Sequence, residues 1–388
     1  MNASHSWARL DGVDILRGLA IFFVLMNHVN MRLYLAKIPY TQGLPSQLVS
    51  SLVWNGQYGV QMFFAVSGFL ITATSIRRWG SLSRISVSDF YARRFARIVP
   101  LLLLLLVVLC ALHVAGFKDY IVSDETGGLI RALIAALTFH VNVLEAHRGY
   151  LPGNWDILWS LSVEEMFYLF FPTVCWLLGR GKWLVAFFLV FVVLGPIDRA
   201  VFAQGNEVWQ EYSYLGGMDA IALGCLTAIA TMRDVHTGRI TWMLGSLGTI
   251  LVVFILGFSD QATAWGLHRS GLDMTILAVG SCMIIAAAAA TQWDGPGVLF
   301  PILLLGRRSY EIYLTHMFVV LILFGAFKSA GLSLAAIPGL FISVILFSSV
   351  LGESVARFYS EPMNRRLRQL FADGTDRLGS VVRSDAVE

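Results

Sequence analysis

The sequence predicts an all-α, polytopic integral membrane protein of about ten transmembrane helices plus one re-entrant or interfacial segment. Three observations predict it. Of 388 residues, 57% are hydrophobic and only 14% charged, with a mean hydropathy of +0.69, far more apolar than a water-soluble domain. Stretches of roughly 20 apolar residues, the length that a bilayer core of about 30 Å requires, recur from one end of the chain to the other. The runs are too long for barrel strands and do not alternate, so helices are the structure that satisfies their backbone in lipid.

Apolar runs lie near residues 13–34, 57–76, 98–117, 128–144, 157–178, 183–201, 213–231, 241–258, 272–291, 309–327 and 335–357. The first contains Arg17 and His28 and no convincing small-residue cleavage site, so it reads as an uncleaved span rather than a signal peptide. The loop after the second run holds Arg77, Arg78, Arg84, Arg93, Arg94 and Arg97. The positive-inside rule makes that loop cytoplasmic, and the N-terminus with it.

The fourth run decides the remaining topology. If residues 128–144 cross, four basic groups fall outside: Arg180 with Lys182, Arg233 with Arg239, Arg307 with Arg308, and Arg365, Arg366 and Arg368. If that run dips in and returns, or lies along the surface, every group is cytoplasmic. Ten crossings with both termini in the cytoplasm follow. The run's short length and its polar end at His140 and Asn142 suit an interfacial position. Residues 1–360 are expected to form the transmembrane domain. Residues 361–388 are expected to form a short cytoplasmic tail, too poor in apolar residues to build a core.

The net charge of +3 is spread over short loops rather than gathered in a patch, which argues against a nucleic-acid partner. Cys110, Cys175, Cys225 and Cys282 stand alone in or beside apolar runs, without metal spacing or a disulfide framework. They read as small apolar fillers, and no metal site is expected. The sequence has no evident internal repeat or low-complexity tract.

Ionisable residues inside apolar spans are costly and therefore informative. Arg17 and His28 have ten residues between them. Eleven helical steps bring them to one face about 16 Å apart along the axis, with Arg17 toward the cytoplasm and His28 in the outer half. In the segment from Asn154 to Tyr168, Ser160, Glu164 and Tyr168 are spaced four apart and line one face, while Glu165 points about 100° away. Glu164 is expected at a depth similar to His28, where a carboxylate beside an imidazole would fix its tautomer for general-base work. Asp219 is a candidate third member of this cluster, the plain alternative being a helix-end cap or a structural hydrogen bond. Arg94 and Arg97 are three apart on one helical face beside Arg93, and arginine forks bind phosphates well. Topology charges without a ligand are the plain alternative. Tyr313 and His316 are candidates for lining an entrance or for interhelical packing.

Six segments in order resemble the acyltransferase-3 family of membrane-bound O-acyltransferases. They are Asp11 to His28, Phe63 to Thr72, Arg93 to Pro100, Trp159 to Pro172, Tyr310 to His316, and Phe358-Tyr359-Ser360-Glu361-Pro362. The resemblance implies an essential Arg and His separated by ten residues at Arg17 and His28, and a cytoplasmic Arg-x-x-Arg at Arg94 and Arg97. It places the acidic residue of the Trp-Ser-Leu-x-x-Glu stretch at Glu164. It further implies a cytoplasmic acyl-CoA donor, acetyl-CoA above all, and no permanently bound cofactor. The implied acceptor is a hydroxyl of a sugar, glycan precursor or small metabolite, and the implied setting is the bacterial inner (plasma) membrane. Some members carry a hydrolase-like domain after the last span, so a stand-alone transferase is expected here. The rival reading is a proton-coupled transporter, which would be expected to show symmetry between two halves.

Overall fold

The computed structural model describes residues 10–233, 238–291, 293 and 295–371. Among them there is no strand. Ten helical segments are long and apolar enough to cross a membrane. Their cores are α1 (Asp11–Leu35), α2 (Gly56–Trp79), α3 (Val87–Val114), α4 (Leu158–Leu178) and α5 (Lys182–Ile197). The second half holds α6 (Tyr214–Arg233), α7 (Arg239–Gly257), α8 (Leu272–Thr291), α9 (Ser309–Ser329) and α10 (Ile337–Val355). The protein is an all-α integral membrane protein.

Local chemistry sets several of these limits. Asp11 and Asp14 occupy the first turn of α1, where negative charge meets the positive end of the helix dipole. Ser86 Oγ accepts the Asp89 amide at the start of α3, the usual N-cap bond. At the end of α2, Gly80 takes a φ of 76°, a left-handed conformation that glycine adopts without steric cost.

The fourth apolar run does not form one helix. It divides into Gly128–Leu137 and Val141–Arg148, broken where Phe139 takes a φ of 58°. At 1.5 Å per residue the pieces reach only about 15 Å and 12 Å, half the hydrocarbon thickness or less. Both stay at the end of the bundle where α3 finishes and α4 begins. The Val141 amide donates to Ser162 Oγ at 3.1 Å, and Asn142 Nδ2 donates to the Tyr212 carbonyl at 3.0 Å. At the opposite end, Gly179 after α4 packs against Ser83 in the loop between α2 and α3. The turn bearing Arg180 and Lys182 therefore shares an end with the arginine-rich loop, as ten crossings require.

Lipid offers little hydrophobic drive for helices to associate, so close backbone packing carries the assembly. At the crossing of α2 and α6, a Cβ on Gly68 would overlap the Ile221 carbonyl oxygen, and one on Gly224 would overlap that of Ala65. The short helix Phe300–Arg307 approaches α1 in the same way at Gly18 and Gly306. Helix α10 continues past Val355 through a widened turn at Ala356–Ser360 and remains helical to residue 371. The segment expected to be a tail from residue 361 thus begins as helix, and residues 372–388 lie outside the described residues.

Candidate active site

A cavity of about 780 Å³ enters the bundle from its arginine-rich end. Its lining can be followed along α2, from Val60 and Phe63 through Ser67 and Leu70 to Thr74 and Arg78, a distance of about 27 Å at the helical rise. The other walls come from α3 with Arg93, Arg94 and Arg97, α4 with Ser160, Glu164 and Tyr168, and α9 with Tyr310 and Tyr313. A second cavity of about 410 Å³ shares Arg17, Arg77 and Arg97 with the first and adds Arg307 and Arg308. The inner part is mainly aromatic and aliphatic, with Ser67, Ser160 and Glu164 set into it; the mouth is cationic.

Arg94 is held from three sides. Its guanidinium lies 3.6 Å from the centre of the Tyr168 ring, within cation–π range. Nη2 reaches Glu165 Oε1 at 3.2 Å and Glu164 Oε1 at 3.6 Å. Glu164 also accepts from the Tyr168 hydroxyl at 2.6 Å and from Ser67. Two adjacent carboxylates in an apolar span need compensating charge, and the single charge of Arg94 is shared between them. Arg93 instead pairs with Asp89 at 2.8 Å. Arg97 lies 6.0 Å from the Tyr310 ring and borders both cavities. Arg17 Nε donates to Ser309 Oγ at 3.1 Å, with Asp14 3.6 Å from Nη1.

The expected contact between Glu164 and His28 is not made. Glu164 belongs to the Arg94 group, and the partner of His28 is His316: Nδ1 of His28 lies 3.1 Å from Nε2 of His316 and 2.9 Å from the Val24 carbonyl. His316 Nδ1 lies 2.7 Å from the Tyr313 carbonyl and 3.2 Å from that of Ile312. Carbonyl oxygens only accept, so the network assigns a proton to Nδ1 on both rings. His28 Nδ1–H then donates to Val24 O and His316 Nε2, which leaves the Nε2 lone pair of His28 without a protein partner among the described residues. An imidazole in that tautomer can take a proton from a hydroxyl. One turn below His316, the Tyr313 hydroxyl meets Ser160 Oγ at 2.6 Å and the Ile157 carbonyl at 3.0 Å; Tyr313 and Ser160 line the cavity, and the two histidines lie next to that lining.

Asp219 is not part of the cluster. It is fully buried and accepts from Arg199 Nη2 at 2.7 Å, Thr275 Oγ1 at 2.7 Å and Gln61 Nε2 at 2.8 Å. Arg199 also donates to the Gly271 carbonyl. This network ties α2, α6 and α8 to the end of α5 and fits the structural alternative. Sequence reasoning placed Glu165 off the Glu164 face and gave it no role, and it passed over Arg199 and Ser309. The Glu164–Glu165 doublet carried a signal for Glu165, since neither carboxylate is affordable in an apolar span without a partner; nothing in the sequence singled out Ser309. The four cysteines are free.

Comparison with known proteins gives this arrangement a class. Residues 10–353 match the acyltransferase-3 family, described as an acyltransferase domain, and the chain belongs to that family. The resemblance read from the six motifs therefore holds. Among individual relatives, the chain is 26% identical over 391 residues to the O-acetyltransferase OatA of Staphylococcus aureus strain NCTC 8325 / PS 47, covering 94% of this chain and 58% of that protein. It is 26% identical over 342 residues to the peptidoglycan O-acetyltransferase OatA of Listeria monocytogenes serovar 1/2a strain EGD-e, covering 80% and 49%. It is 23% identical over 337 residues to a putative O-acetyltransferase of S. aureus strain COL, covering 80% and 50%. The chain thus spans about half the length of the curated relatives it matches. No solved structure matches it.

Proposed function

We propose that this chain is a membrane-embedded O-acetyltransferase that takes acetyl from a cytoplasmic acetyl-CoA and places it on a hydroxyl of a carbohydrate acceptor. The observation that carries this reading is the alignment of two features along one axis. A cation-mouthed cavity reaches Ser160 and Tyr313, and His28, with Nε2 open, is held by His316 one helical turn beyond Tyr313.

The donor's phosphates suit the arginine-lined mouth, and its pantetheine arm suits the stretch walled by Phe63, Phe64, Val60 and Leu314. Arg17 and Arg97 act on the phosphates. Arg94, already held by Glu164, Glu165 and Tyr168, shapes the wall. In the transfer, Nε2 of His28 takes the proton as the acceptor oxygen attacks the thioester carbonyl. The C–S bond then breaks, and the departing sulfur leaves as the thiol with that proton. The arginine-rich end faces the cytoplasm by the positive-inside rule. The acetyl group and the carbohydrate acceptor are inferred from the printed names of the relatives, one of which is a peptidoglycan O-acetyltransferase.

Thermal unfolding of the purified protein tests the donor site. CoA is expected to raise the midpoint of the wild type, and Arg17→Ala with Arg97→Ala is expected to abolish the rise. A wild type indifferent to CoA would overturn the reading.

A further inference from the structure

The rim of the cavity is finished by the helical extension of α10. Phe371 meets Phe95 of α3 edge-on, ring centroids 6.2 Å apart, and this contact seats the extension against the arginine-rich end. Arg368, one turn before Phe371, lines the cavity. Arg78, Arg93 and Arg97 line the same cavity. Like charges gathered this closely repel unless an anion sits among them.

The protein supplies part of that anion. Asp89 accepts from Arg78 at 2.7 Å and from Arg93 at 2.8 Å, which leaves the rim group of Arg78, Arg93 and Arg368 with two net positive charges. Neither Arg97 nor Arg368 has a carboxylate within ion-pair distance among the described residues. Depth separates the arginines: Arg97 lies a helical turn farther along α3 than Arg93, about 6 Å deeper, and Arg17 lies beside Ser309.

We propose that Arg368, with Arg78 and Arg93, binds the ribose 3′-phosphate of the CoA donor, so that the extension of α10 is part of the donor site. The inference rests on acyl-CoA being the donor. CoA carries phosphate in two places, a diphosphate joined to the pantetheine arm and a monoester on the ribose at the far end. With the thioester directed toward Tyr313, the diphosphate meets Arg17 and Arg97, and the monoester meets the rim. A phosphate monoester carries about −1.5 to −2 charge at neutral pH, which matches the uncompensated charge there.

The test compares the affinity of the purified full chain for CoA and for dephospho-CoA, which lacks the 3′-phosphate. Wild type is expected to bind CoA about ten- to a hundred-fold more tightly, the size of a charged hydrogen bond. Arg368→Ala is expected to lose most of that preference while its affinity for dephospho-CoA stays unchanged, and Arg368→Lys to keep part of it. Equal weakening of both ligands by Arg368→Ala, or no weakening of either, would overturn the assignment of the phosphate. Failure of the wild type to bind either ligand would instead remove the donor reading on which it rests.

Discussion

His28 and His316 are 288 residues apart in sequence and 3.1 Å apart in space. A second contact, Arg17 to Ser309 at 3.1 Å, joins the same two helices nearer the arginine-rich end. Because both pairs advance together, α1 and α9 run parallel and are clipped at two depths. The upper clip fixes the tautomer of His28 and the lower one positions Arg17 in the cavity.

If His316 acts by accepting the Nδ1 proton of His28, His316→Ala will lower kcat for acetyl transfer with little change in the KM for the donor. His316→Gln, whose side-chain oxygen can accept the same proton, will recover a large part of the rate. An equal loss in both variants, or a loss confined to KM, would contradict the positioning role.

Glu164 and Glu165 are expected to act through Arg94. Glu165→Gln removes one anchor of that guanidinium and should raise the donor KM by about tenfold, in line with the loss of one charged hydrogen bond. The effect on kcat should be smaller. Steady-state kinetics separate this from direct catalysis by either carboxylate, which would reduce kcat and spare KM.

Asp219→Ala should destabilise rather than disarm the protein. It leaves Arg199 buried without its carboxylate, a change that costs about 3–5 kcal/mol in a buried pair. Thermal unfolding in detergent should show a marked drop, with near-normal KM for the protein that remains folded. A stable variant with a selective kinetic defect would place Asp219 in the chemistry after all.

Glu145, on the short helix Val141–Arg148, is fully buried. Burial, and then the neighbouring Asp156, hold its carboxyl well above the ordinary glutamate range. Two carboxyls side by side satisfy each other only when one carries a proton. An acid whose value rises on folding gives its full stability below the unfolded value and loses it as pH climbs through the folded one. Stability should therefore fall as pH rises above about 4.5, the ordinary glutamate value, and Glu145→Gln should flatten that dependence in melting curves. An unchanged pH slope in the variant would show that the carboxyl does not titrate in this way.

The sequence made the helices and their count legible because hydropathy and loop charge are local properties. Loop charge also marked residues 128–144 as a run that does not cross, since ten crossings fit the basic loops and eleven do not; its division at Phe139 was not legible. Partner choice was less accessible. Helical spacing placed Ser160, Glu164 and Tyr168 on one face but could not say which neighbour that face meets; Arg94 claimed Glu164, and His316 claimed His28. Asp219 was visible as a costly carboxylate, whereas its partner Arg199 sits at a span end, where an arginine reads as an ordinary interfacial residue. Tertiary contacts between distant helices decided each of these cases.

The most direct test of the central claim uses inside-out membrane vesicles given labelled acetyl-CoA at the exposed face, with acetylation of the carbohydrate acceptor as the readout. Membranes with the wild type should transfer label, and membranes with equal amounts of folded His28→Ala should transfer at least about a hundredfold less, the lower range for loss of a general base. Equal transfer by the two would contradict the role of His28.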